Sequence, residues 1–108
     1  MMSRIYIIAI KSMLIDANII ITAGENAIFE CECEGVENLV WLKDNRPLSD
    51  KLADRIVISK EDNVFRLEIK NVSESDSGTY TARAENDCGV SMSTAHLIVE
   101  KCKYLHTL

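Results

Sequence analysis

The chain has 108 residues and a formal net charge of −5, a length that fits one domain built around a two-layer core. Hydrophobic residues make up 47% of it, with one Pro and four Gly, which excludes a disordered polar chain. The acidic balance weighs against nucleic acid or an anionic membrane surface as the main partner, because both repel net negative charge.

Residues 1–10 read as a β-prone lead-in. Arg4 followed by Ile5-Tyr6-Ile7-Ile8-Ala9-Ile10 has the order of charge and apolar run of a secretory signal. The run is short, and no small-x-small cleavage site separates it cleanly from the rest of the chain. It also falls far short of the roughly 20 residues of a spanning helix, so no membrane insertion is expected. The folded domain is expected over residues 11–100, with residues 101–108 as a tail.

Lys11 to Ile15 begins the first strand, Asp16-Ala17-Asn18 breaks it, and the β-branched Ile19, Ile20 and Ile21 form its second half. Gly24-Glu25-Asn26 turns the chain. Ala27, Phe29, Cys31 and Cys33 then alternate with Ile28, Glu30, Glu32 and Glu34, a period-two strand with one apolar and one acidic face. Carboxylates at that spacing read as a solvated face rather than a metal site or catalytic pair. Asn38 to Lys43 is the next strand, with Leu39 and Trp41 inward. A buried Trp needs an acceptor for its indole N–H. Lys43 to Leu48 reads as a turn and a short edge strand, where Pro47 is acceptable.

Ile56, Val57 and Ile58 form a strand after Arg55, and Glu61-Asp62-Asn63 turns into the next. There Phe65, Leu67 and Ile69 face in, while Arg66, Glu68 and Lys70 face out. Val72 closes the bottom of the core and Ser73 to Ser75 form one helical turn. Asp76 and Gly78 supply turn chemistry ahead of a strand with Tyr80, Ala82 and Ala84 inward. Glu85 to Gly89 is a hairpin turn. The last strand, Val90 to Glu100, points Ala95, Leu97 and Val99 inward and leaves His96 as a surface histidine.

Asp76-x-Gly78-x-Tyr80-x-Ala82 resembles the Asp-x-Gly-x-Tyr-x-Cys signature at the corner between strands E and F of the immunoglobulin fold. Leu67-x-Ile69, Val72, Ala84-x-Asn86-x-x-Gly89 and Cys31-x-Cys33-x-Gly35 ahead of the lone Trp41 extend the match. Residues 11–100 thus resemble an intermediate-set (I-set) immunoglobulin domain. The resemblance implies an all-β, Greek-key sandwich with Cys31, Trp41, Leu67, Tyr80 and Ala82 in its core. It also implies a corner salt bridge between Arg55 and Asp76. Ala82 departs from the pattern, because it stands where the family has its second core cysteine. The inter-sheet disulfide between strands B and F is therefore lacking.

Other cysteines offer poor substitutes. Cys31 and Cys33 lie on one face of one strand, with Cα atoms about 6.5–7 Å apart by strand rise, at or beyond the limit for bridging. Cys33 and Cys88 both lie toward one end of the sandwich, but no native bond between them is expected. Cys102 is in the tail. Thiols rather than disulfides suit a reducing compartment, and no second paired-ligand motif points to zinc. Asn71-Val72-Ser73 matches the N-glycosylation sequon. Since Val72 and Ser73 also belong to the structural signature, glycan on Asn71 is not expected.

The chain resembles most the I-set domains of giant muscle proteins such as titin, twitchin and obscurin. That resemblance implies a non-catalytic structural and protein-interaction module in the cytoplasm, at the sarcomere or cytoskeleton. Its partners would be other proteins or neighbouring immunoglobulin or fibronectin-type domains, with no cofactor and no small-molecule substrate. An extracellular adhesion or receptor domain is the alternative. With only His96 and His106, no glycine-rich phosphate loop and no clustered metal ligands, the sequence offers no catalytic constellation. Pairing of Ile19–Ile21 with Val90–Val99 is expected to form a mechanical clamp.

Overall fold

The structure is a computed structural model, and it describes residues 3–7, 17–36, 38–48, 54–86 and 89–101. Strands form where side chains alternate between a face that can be buried and one that can stay wet. They are β1 (Ser3–Ile7), β2 (Ala17–Thr22), β3 (Asn26–Glu32), β4 (Leu39–Lys43), β5 (Arg46–Pro47), β6 (Ile56–Glu61), β7 (Val64–Ile69), β8 (Gly78–Asn86) and β9 (Gly89–Glu100). A single 3-10 turn spans Glu74–Asp76. One sheet has the order β1-β3-β7-β6 and the other β2-β9-β8-β4-β5. The chain crosses between the sheets repeatedly, while β4–β5, β6–β7 and β8–β9 stay paired within one sheet, so the two sheets form the layers of one core.

The core lies between the two inner faces. Ala27, Phe29 and Cys31 of β3 and Phe65, Leu67 and Ile69 of β7 are buried from one side. Trp41, Tyr80, Ala82, Ala84, Ala95, Leu97 and Val99 are buried from the other. Each large apolar side chain taken out of water stabilises by about 1.5–3 kcal/mol. Phe29 links the layers. Its ring stacks on Tyr80 with centroids 5.1 Å apart and meets Trp41 at 6.5 Å in a tilted arrangement.

Trp41 differs from expectation in one respect. Its Nε1 is buried and has no hydrogen-bond acceptor among the described residues, and the same holds for Ser93 Oγ. An unmet donor costs about 1–3 kcal/mol. Burying 150–250 Å² of aromatic surface at about 25 cal/mol per Å² returns roughly 4–6 kcal/mol. Packing therefore wins over polar satisfaction at this position.

The start of the chain also differs. The expected strand at 11–15 lies outside the described residues. Within the segment read as a lead-in, Ser3–Ile7 adds a fourth strand, parallel to β3 with Ser3 opposite Asn26 and Ile7 opposite Glu30. Ile and Tyr favour a pleated surface, but that preference specifies neither the partner nor the direction. The helical turn expected over Ser73–Ser75 begins one residue later, because Ser73 is its cap.

Candidate interaction surface

The corner between β7 and β8 holds a cluster of polar contacts. Ser73 caps the 3-10 turn, and its backbone N–H donates to Asp76 Oδ2 at 2.8 Å. Arg55, just before β6, reaches the same carboxylate with Nη1 to Oδ2 at 3.0 Å and Nη2 to Oδ1 at 3.2 Å. Its Nη1 also donates to the Lys70 and Asn71 carbonyls. The Tyr80 hydroxyl donates to the Asp76 carbonyl at 2.6 Å from within the core. Burial pushes the Asp76 carboxyl up. The Arg55 hydrogen bonds, the Ser73 amide and the Arg55 and Lys43 charges outweigh it and hold the pKa below the usual carboxylate value. Its bond to Asp76 in turn raises the Arg55 pKa. Burial, together with the Asp76 and Asp44 charges, raises that of Tyr80. The arrangement is a three-way latch that fixes the two sheets at one end, and no group in it is poised for proton transfer.

Gly78 sits beside this latch. Asp44 and Asn45, both with positive φ (50° and 68°), make the two-residue turn between β4 and β5, a geometry suited to Asp and Asn. The Asp44 carboxylate turns back to accept the Thr79 N–H at 2.9 Å. A Cβ on Gly78 would lie 2.9 Å from that carboxylate. A side chain at position 78 would therefore push the Asp44 carboxylate off the Thr79 amide.

At the edge of the five-stranded sheet, β2 runs parallel to β9, from Ala17 opposite Ala95 to Thr22 opposite Glu100. Ile19 and Ile21 point into the core, and Ile20 is half exposed. The ladder uses the C-terminal half of the last strand, so residues 90–94 take no part in it. It joins a strand near the start of the described sandwich to its last strand.

The two outward faces differ in chemistry. On the four-stranded sheet, Glu30, Glu32, Glu61 and Asp62 surround Arg66 along an open groove of about 440 Å³. On the five-stranded sheet the outward residues are mostly Thr and apolar side chains. Thr81 bonds Thr94 at 3.2 Å, and Thr79 bonds His96 Nδ1 at 3.0 Å. His96 is thus outward-facing but tied to its neighbour.

Cys31 and Cys33 are buried reduced thiols with Sγ atoms 3.9 Å apart. Cys88 lies outside the described residues. Among the described residues, no group of three or more His, Cys, Asp or Glu is placed to hold a metal ion. In the sequon, Asn71 is exposed with φ 52°, Val72 is buried and Ser73 caps the turn. Each of the three letters thus has a structural reason of its own. Sequence reasoning missed the Asp44–Thr79 contact and the buried Ser93 hydroxyl. Strand parity points Ser93 inward, but polarity alone would place it outside.

A family model for the immunoglobulin I-set domain matches residues 11–99. The chain is 37% identical over 86 residues to smooth-muscle myosin light chain kinase of Gallus gallus, covering 77% of this chain and 4% of that protein. It is 35% identical over 79 residues to the muscle M-line assembly protein unc-89 of Caenorhabditis elegans, covering 71% and 1%. To neural cell adhesion molecule L1 of Rattus norvegicus it is 29% identical over 90 residues, covering 82% and 7%. The chain therefore spans only a small part of the curated relatives it matches. Among solved structures, the titin Z1Z2 domains in complex with telethonin superpose with a TM-score of 0.72 at 28% identity, covering 81% of this chain and 45% of theirs. The titin M3 domain superposes at 0.69 with 31% identity, covering 81% and 91%.

Proposed function

The chain belongs to the immunoglobulin I-set family, and from that premise we propose that it is one structural and protein-interaction domain of a larger muscle or cytoskeletal protein, working in the cytoplasm. The parallel β2–β9 ladder carries this reading. Tension applied through the two ends of the domain loads all of its hydrogen bonds together, in shear, rather than opening them one at a time. The sequence supports a reducing compartment, since Ala82 stands where the family has its second core cysteine, and Ala82 is fully buried in the core. Partners of this reading are neighbouring immunoglobulin or fibronectin-type domains and other proteins that dock on exposed strands. Titin domains of the same fold are found in complex with telethonin. Pulled by its ends within a polyprotein, the domain should resist and then unfold in one all-or-none event. Gradual lengthening at low force would remove the mechanical role.

Two observations favour the extracellular alternative. The sequon asparagine, Asn71, is exposed, and the chain is similar to a cell adhesion molecule. Alkylation and mass spectrometry on non-reduced protein from its native source separate the two. Four alkylated cysteines and bare Asn71 support the cytoplasmic reading. A Cys33–Cys88 bridge or glycan on Asn71 would place the domain outside the cell.

A further inference from the structure

We propose that the outward face of the five-stranded sheet, at its β8–β9 hairpin end, is a self-association surface that takes a second copy of this chain. Six large apolar side chains are left exposed among the described residues, and five of them point outward from this one sheet: Val40, Val90 and Met92 together at the hairpin end, around Arg83, and Ile20 and Ile98 side by side at the far end. Concentration on one face marks an interaction surface, whereas scattered exposure would not.

The register identifies the occupant. Arg83 of β8 lies beside Met92 of β9, and Glu85 beside Val90, two residues further along the same face. Consider a two-fold axis lying in the interface and running across the strands, midway between these two rows. It sets Arg83 opposite Glu85 of the second copy and Met92 opposite Val90 of the second copy, and by symmetry the reverse of each. A single operation thus satisfies charge and apolar complementarity together, as an isologous interface requires. Within one copy, Arg83 and Glu85 are only 3.8 Å apart and both well exposed, so the pair is weak alone and gains by joining a four-member network.

Two further features favour this face. The threonine hydroxyls bordering the patch are already bonded, Thr81 to Thr94 and Thr79 to His96, so covering them leaves few polar groups unmet. The opposite sheet presents Glu30, Glu32, Glu61 and Glu68 against Arg66 and Lys70, a net negative face on which two copies would repel. The patch is small, and the dimer is correspondingly weak. Self-association through this face does not depend on the mechanical role of the β2–β9 ladder.

Sedimentation equilibrium of the full chain in reductant tests it. The wild type should dimerise reversibly at or below about 1 mM. Arg83→Glu, at an exposed position, should weaken the dimer about tenfold or more by setting like charges face to face. The double exchange Arg83→Glu with Glu85→Arg should restore association to within about threefold, because the two-fold relation is preserved. A chain that stays monomeric to about 1 mM, or a dimer that Arg83→Glu leaves unchanged, would overturn the proposal. A double exchange no better than the single change would do the same.

Discussion

Asp76→Ala should be the most damaging surface-reachable change at the corner latch. The carboxylate accepts one backbone N–H, from Ser73, and two bonds from Arg55. Removing it orphans the part-buried Ser73 amide, which costs about 1–2 kcal/mol. The Arg55 side chain is 38% exposed and keeps its bonds to the Lys70 and Asn71 carbonyls. The ion pair is therefore discounted for solvent to about 1 kcal/mol. The sum is about 2–3 kcal/mol, below the 3–5 kcal/mol typical of breaking a fully buried pair. Asp76→Asn retains an acceptor for Ser73 and should lose about 1 kcal/mol. The sign of the pH dependence follows from the lowered pKa of Asp76. Its contribution is fully present above the unfolded value of about 3.9 and is lost as pH falls through that value toward the lower folded one. Urea unfolding of wild type and both variants between pH 3 and pH 7 reads the effect. The gap between wild type and Asp76→Ala should hold steady above about pH 5 and shrink below about pH 4. A neutral-pH gap under about 0.5 kcal/mol, or one that widens in acid, would refute the latch as a source of stability.

Ala82→Cys should supply the missing cross-link to Cys31, both positions being fully buried in one core cluster. Closing a loop of about 50 residues is worth about 4 kcal/mol in the chain-entropy model, less any strain. Thermal unfolding with and without reductant reads the gain, and a variant whose midpoint ignores reductant would show that the two positions do not meet. Ser93→Ala removes a fully buried hydroxyl that has no partner among the described residues. It should leave stability unchanged or raise it by up to about 1 kcal/mol, and a loss larger than that on urea titration would reveal a bond at Ser93 Oγ. Gly78→Ala forces its Cβ against the Asp44 carboxylate and frees the Thr79 amide. It should cost about 1–2 kcal/mol, with the Thr79 amide losing hydrogen-exchange protection. Unchanged protection would contradict the contact.

Much of this fold was legible because alternation is a local signal. The inward sets of β3, β7 and β8 follow from parity alone, as do the outward-facing His96 and the acidic outer face of Glu30 and Glu32. The motif around Tyr80 placed the corner, and residues 11–99 match the family it resembles. What local pattern does not encode is pairing. Nothing in Ser3–Ile7 specifies a parallel seat beside β3, and nothing in Ile19–Ile21 selects residues 95–100 over 90–94. The Asp44–Thr79 bond joins residues 35 apart, so only the assembled sandwich brings them together. The unmet Trp41 N–H is a similar case, since it depends on what surrounds the ring rather than on the ring itself.

The mechanical role of the β2–β9 ladder is tested most directly by pulling single molecules of wild type and Ile20→Pro by their ends. Proline removes a backbone donor and distorts the strand, while the half-exposed Ile20 side chain leaves little core packing to lose. Val57→Pro, on β6 in the other sheet, serves as a control that perturbs a strand outside the ladder. Ile20→Pro should unfold at clearly lower force than wild type at the same pulling speed, and Val57→Pro at nearly the wild-type force even where its urea stability falls. Equal forces for wild type and Ile20→Pro would contradict the ladder as the element that resists tension.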